Sequence, residues 1–145
     1  MRGLASAVCV ITSRHENRAN GMTATAVCSV SADPASILVV VNQSNRSHAI
    51  IRESGVFAVH VLAKGQEPLA AHFAGRPEQP FVGVPVRSGA TEVPVIEHCE
   101  TVLECVVAAE TDFGTHTIVV GRIVAARYGA AEPLLYCNGQ FGSMA

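Results

Sequence analysis

Three stretches of the chain carry side chains whose types and spacing suit chemistry. Met22-Thr23-Ala24-Thr25-Ala26-Val27-Cys28-Ser29-Val30-Ser31 reads as a strand with small and hydroxylic residues where large β-branched ones are expected. Small side chains let a flat molecule approach the backbone, and hydroxyls and main-chain amides can hydrogen-bond its edge. A crowded strand crossing would select the same small residues. Asn42-Gln43-Ser44-Asn45-Arg46-Ser47 leads into a helix, and free amides beside serine hydroxyls and an arginine make an anion site. The plainer alternative is that Ser44 or Asn45 caps that helix. Gly114-Thr115-His116-Thr117-Ile118-Val119-Val120-Gly121 places His116 on one face with Ile118 and Val120. A lone histidine on an apolar face is usually a satisfied core residue, and spacing alone supports no more than that for His116.

Familiar motifs do not occur. There is no G-x-G-x-x-G after a strand, no G-x-x-x-x-G-K-[ST] and no H-E-x-x-H, which removes the Rossmann, P-loop and zincin readings. Cys99 and Cys105 read as one face of a single strand, about 20 Å apart at roughly 3.3 Å per residue. They are expected to pack as thiols rather than share a metal, so no metal site is expected.

The elements that must position these residues are mostly strands. Leu4 to Thr12 is apolar and β-branched, and Ser13 to Asn20 reads as a polar loop. Met22 to Val30 follows as one strand. Asp33-Pro34 marks a turn before a continuously apolar strand, Ser36 to Asn42. Ser44 to Ser54 is helical with Gly55 as its stop, Val56 to Leu62 is a strand, and Gln66 to Phe73 is a second short helix ending at Gly75. Arg76 to Glu92 holds three prolines and two glycines and reads as a long, partly extended loop. Val95 to Glu110 and Thr115 to Tyr128 flank Thr111-Asp112-Phe113-Gly114 as a hairpin, and Leu134 to Cys137 is a last strand. About seven strands without regular alternation of helices predict a mainly β (α+β) domain, antiparallel and barrel-like, with two or three short helices.

Composition narrows the class. Of 145 residues, 49% are hydrophobic and only 15% charged, with 21 Ala and 21 Val, against roughly 25% charged in an average soluble domain. That profile excludes a disordered chain. No apolar run approaches the roughly 18 residues of a membrane span. The net charge of −2 rests on nine Arg and Lys64 without a basic block, so no nucleic-acid footprint is present. Five cysteines with no C-x-x-C pair, and no signal-peptide pattern, point to reduced thiols in a cytoplasm.

Taken in order, several short segments resemble the small flavin reductases, the reductase components of two-component flavin monooxygenases. They are Val8 to Thr12, Gly21 to Thr25, Ser29 to Pro34, Ile37 to Asn42 and Phe57 to Leu62. Leu69 to Ala74, Leu103 to Cys105, Gly114 to His116, Val120 to Ile123 and Pro133 to Tyr136 continue the series. The resemblance implies one domain over 1–145, an antiparallel Greek-key split β-barrel with a short or missing N-terminal lead-in. It also implies a homodimer that binds FMN or FAD, reduces it with NADH or NADPH, and supplies reduced flavin to a partner oxygenase. By the same resemblance, Thr23, Ala24 and Thr25 border the isoalloxazine ring, and Ser29 and Val30 line the flavin. Ser44, Arg46 and Ser47 lie where phosphate is held, Asn42 beside them belongs to the cofactor-binding set, Phe73 and Ala74 approach the flavin, and His116 lies near the reduced nicotinamide. Arg76 to Glu92 matches no motif of the family. Two other readings share the barrel: a non-catalytic flavin-binding or redox-sensing protein, and a pyridoxamine-phosphate-oxidase-like enzyme. The latter would want more basic side chains around its substrate phosphate than this Lys-poor chain offers.

The shortage of charge then has a use. Both faces of Thr115 to Ala126 are apolar, with Ile118, Val120 and Val124 on one and Val119, Ile123 and Ala125 on the other. One face can fill a core and the other can meet a second copy of the chain.

Overall fold

A computed structural model describes residues 1–144, all but the last residue of the chain. The strands are β1 (Ser6–Ala7), β2 (Cys9–His15), β3 (Arg18–Ala24), β4 (Val27–Ala32) and β5 (Ala35–Asn42). Helix α1 (Arg46–Ser54), β6 (Val56–Val61) and α2 (Glu67–Ala74) follow. The remainder is β7 (Val86–Ser88), β8 (Pro94–Ile96), β9 (Thr101–Phe113), β10 (His116–Arg127), β11 (Leu135–Cys137) and β12 (Gln140–Gly142). The protein is mainly β, with two helices and antiparallel pairing throughout its ladders.

Seven strands form the principal sheet in the order β3-β2-β6-β9-β10-β5-β4. Its two edge strands, β3 and β4, are consecutive in the chain and separated only by Thr25 and Ala26. A flat seven-stranded sheet would hold its edges about 29 Å apart at roughly 4.8 Å per strand. Two residues cannot cross that distance. The sheet therefore curls until its edges meet at Thr25 and Ala26, although β3 and β4 do not pair with each other.

The central strands are buried on both faces, which is why they read as unbroken apolar runs rather than as alternating ones. Ile11, Val59 and Leu103 point into one core with Val39, Phe57, Val119 and Ile51 of α1. Their neighbours Val10, Ala58 and Val102 point into a second core with Phe73 of α2, Val95 and Leu134. Each fully buried Phe or Ile contributes about 1.5–3 kcal/mol of transfer free energy.

Several sequence expectations are corrected. Ser13 to Asn20 is not a loop: β2 and β3 run through it, and only Glu16 and Asn17 turn. Its polar residues sit in strands because Ser13 and Asn20 are buried beneath α1, where Asn20 Nδ2 donates to Ser47 Oγ at 2.8 Å. Met22 to Val30 is broken at Thr25–Ala26, where the sheet changes edge. Val95 to Glu110 is likewise two strands, parted by a turn at Glu97–Glu100. Cys99 lies in that turn, so it shares no strand face with Cys105. The hairpin between β9 and β10 turns on Gly114 and Thr115 alone, with Gly114 at φ 57°. Part of the Arg76–Glu92 loop pairs as β7 with β8, and β12 follows β11 as a strand the sequence did not signal.

Candidate functional site

A cleft of about 290 Å³ opens where the sheet edges meet. Its first wall is Met22 to Ala26, the end of β3 and the two linking residues. Its second is the C-terminal end of α2, with Phe73, Ala74 and Arg76. Val40 and Asn42 of β5, Asn45 and His116 form the third. Edge strands offer main-chain N–H and C=O groups that no neighbouring strand satisfies.

Each wall is held by identifiable contacts. Gly21 allows Phe73 to lie on β3, because a Cβ there would come within 2.5 Å of the ring. Two residues along the strand, Thr23 Oγ1 donates to the Ala70 carbonyl at 2.6 Å. That hydroxyl fixes α2 to β3 rather than presenting its proton to a ligand. Asn45 caps α1: its Oδ1 accepts from the Ser47 amide at 2.9 Å, and Gly55 closes the helix in the left-handed conformation. Asn42 Oδ1 accepts from both the amide and the hydroxyl of Ser44 at 2.9 Å, and so shapes the turn into α1. Gln43 joins this turn to the β9–β10 hairpin: its amide donates to the Thr115 carbonyl at 3.0 Å and its Nε2 to the His116 carbonyl at 2.9 Å.

His116 is exposed, and its Nδ1 lies 2.8 Å from Thr115 Oγ1. It sits directly opposite Asn42 across the β5–β10 ladder, so one register position brings both to the cleft. Below it, Thr117 Oγ1 donates to Asp112 Oδ1 at 2.7 Å and therefore accepts from His48 Nε2 at 2.8 Å. Arg52 reaches the same carboxylate at 2.9 Å. The bond from Thr117, with that from Arg52, holds the Asp112 carboxyl below its ordinary pKa. This network fastens α1 to the hairpin that carries His116.

The sequence expectations divide accordingly. Thr23, Ala24, Thr25, Asn42, Phe73, Ala74 and His116 come together on the cleft. Ser29, Val30, Ser44, Arg46 and Ser47 do not line it. Ser29 and Val30 are exposed farther along β4. Ser47 is fully buried, its hydroxyl engaged by Asn20 and its amide by Asn45, so it shapes the helix start. Arg46 turns its guanidinium to the Pro77 carbonyl. Sequence reasoning missed Arg76 and Asn45 as lining residues. Asn45 lies inside a motif already singled out, whereas Arg76 opens the segment with no recognisable pattern.

No carboxylate lines the cleft among the described residues, and Arg76 brings a permanent positive charge. Small side chains at Ala24 and Ala26, edge amides, the Asn42 and Asn45 amide groups and one cation suit a flat, polar-edged molecule with an anionic tail.

The whole chain, residues 1–145, matches the model of the flavin reductase like domain. The chain belongs to the flavin reductase family. An NADH-dependent flavin reductase of Rhodococcus sp is 37% identical over an alignment of 144 positions that covers 97% of this chain and 80% of that protein. The reductase component of a 4-nitrophenol 4-monooxygenase/4-nitrocatechol 2-monooxygenase from Rhodococcus opacus is 34% identical, covering 95% of this chain and 74% of that one. Among solved structures, the NADH:FAD oxidoreductase of Streptomyces globisporus C-1027, in complex with NAD and FAD fragments, superposes with a TM-score of 0.92. It is 32% identical over 99% of this chain and 87% of its own. The fold of this flavin reductase family member and its relatives is thus shared over essentially the full described length.

Proposed function

We propose that the chain is an NAD(P)H:flavin oxidoreductase, reducing FMN or FAD and supplying reduced flavin to a partner monooxygenase. The observation that carries this reading is the carboxylate-free cleft at the Thr25–Ala26 break, with His116 on its far wall, in a chain of the flavin reductase family. The chemistry supplied by the bound pair is hydride transfer from nicotinamide to flavin, which needs no protein nucleophile.

The chain's own residues bind and orient. Thr23, Ala24 and Thr25 border the flavin ring, Phe73 and Ala74 close its other side, and Asn42 lies toward the tail. Ser44, Arg46 and Ser47 act behind the cleft by shaping the start of α1 and its contact with Pro77. His116 orients the nicotinamide. Holding two rings at reacting distance can contribute several kcal/mol, up to about 7–11 in the best intramolecular cases.

We read 1–145 as one split β-barrel of Greek-key type, an assignment supported by the curled sheet whose edges meet without pairing. We further propose a homodimer. The outward face of β10 and β5 carries half-buried Leu38, Val40, Ile118 and Val120 and the 44% exposed Val124, and the adjoining edge strand β4 adds Val30, 48% exposed. Val40 and His116 belong to both this face and the cleft. A second copy seated there would deepen a cleft now at the small end of ligand pockets, roughly 300–1,000 Å³, and would bring Ser29 and Val30 toward the flavin. A cytoplasmic location fits the five free cysteines. No helix among the described residues is long and apolar enough to cross a membrane.

The test is NADH oxidation in air by the purified protein with and without added FMN or FAD. Consumption that requires flavin supports the reading. Flavin binding without nicotinamide consumption, under any flavin supply, leaves a flavin-binding protein and not a reductase.

A further inference from the structure

The cleft holds a single permanent cation, Arg76, at the turn that follows α2. Arg76 follows Gly75 at the end of α2 with a backbone φ of 51°, a left-handed conformation uncommon for a residue with a side chain. Three contacts fix this turn. Arg46, from the first turn of α1, donates to the Pro77 carbonyl. His72 Nε2 lies 2.7 Å from the Pro80 carbonyl, which only accepts, so the ring donates. Phe81 packs on Phe73 with ring centroids 5.8 Å apart. The Arg76 guanidinium itself makes no ion pair among the described residues.

We infer that Arg76 is the phosphate-holding residue of this cleft and that Arg46 is a positioning residue acting through Pro77. Charge and geometry carry the assignment. Arg76 lines a cavity without a carboxylate, whereas Arg46 does not line it and uses part of its guanidinium on the loop. The guanidinium fork matches phosphate oxygens. Two phosphates could be its ligand: that of the flavin tail and that of the nicotinamide dinucleotide. The inference rests on the flavin-reductase reading and adds to it the residue that tells a phosphorylated ligand from its phosphate-free core.

The experiment measures binding of FMN and riboflavin to wild type, Arg76→Gln, Arg76→Lys and Arg46→Gln by flavin fluorescence. It is repeated with NADH and reduced nicotinamide riboside by competition on the flavin-loaded protein. Arg76→Gln is expected to weaken FMN about tenfold while riboflavin stays within about twofold, the size of one charge-assisted hydrogen bond. Arg76→Lys recovers part of the loss, and Arg46→Gln gives a smaller loss of the same kind. If the nicotinamide pair separates and the flavin pair does not, the phosphate is that of the nicotinamide dinucleotide. Equal weakening with and without phosphate, no change in either pair, or a larger effect of Arg46→Gln overturns the assignment. A wild-type protein that binds neither FMN nor riboflavin overturns the underlying reading instead.

Discussion

Thr23 Oγ1 donates to the carbonyl oxygen of Ala70 across 2.6 Å, joining the edge strand β3 to the helix α2. Two of the three walls of the cleft are thereby joined. Thr23→Val keeps the shape and removes the bond. It is expected to lower stability by about 1 kcal/mol and to weaken flavin binding several-fold, since α2 can then drift from β3. Urea unfolding and a flavin fluorescence titration measure the two effects, and unchanged flavin affinity would detach this contact from the site.

His116 stands on the wall opposite Thr23 and exposes its ring. His116→Ala is expected to slow the reduction of bound flavin by nicotinamide and to leave flavin affinity unchanged. Stopped-flow reduction under anaerobic conditions reads this directly. An unchanged rate removes His116 from the nicotinamide site.

His60 offers a pH test away from the cleft. It is fully buried, its Nε2 accepts from the Ile96 amide at 3.1 Å, and its Nδ1 donates to the Val10 carbonyl at 3.1 Å. Burial lowers its pKa to about 4, below the roughly 6.5 of the unfolded chain. Between those values the unfolded state takes up a proton that the folded state refuses, so stability falls as pH drops from about 6.5 to 4. The loss is about 3 kcal/mol, complete below the folded value. Denaturant unfolding at several pH values should show a shallower acid slope for His60→Gln than for wild type. Parallel slopes would contradict it.

The thiols report on the apolar face of the sheet. Burial pushes Cys9 and Cys105 to a pKa of about 12 and Cys99 to about 11, so these three are expected to stay silent toward a thiol reagent until the protein unfolds. Cys28 is exposed on β4, opposite Leu38, on the face proposed to meet a second copy. Its labelling should slow as protein concentration rises. A concentration-independent rate with a monomeric elution volume would overturn the homodimer.

Much of this site was legible in the sequence, and the exceptions share a cause. The Thr23–Thr25 strand, the Asn42–Ser47 turn and His116 stood out because their residue types were unusual for their local element. The helix over Ser44 to Ser54 was legible from Gly55 and the paired isoleucines, and its cap proved to be Asn45. What failed was anything decided by a distant partner. Ser13 and Asn20 looked like loop residues because their burial depends on α1, which lies later in the chain. Ser47 looked available to a ligand because nothing local indicates that Asn20 occupies it. Arg46 and Arg76 cannot be told apart by composition; only the position of Pro77 shows which one the loop uses and which one the cleft receives. The break at Thr25–Ala26 was hidden by an alternation that continues across it, since the curl is imposed by the whole sheet.

Electron delivery from a nicotinamide to a flavin in this cleft can be followed directly. The most direct measurement mixes the protein anaerobically with FMN or FAD, then with NADH or NADPH, and follows the flavin's visible absorbance. Bleaching is expected at a rate that saturates with nicotinamide, one nicotinamide being oxidised for each flavin reduced, for at least one of the four combinations. Bound flavin that stays oxidised in all four would contradict it.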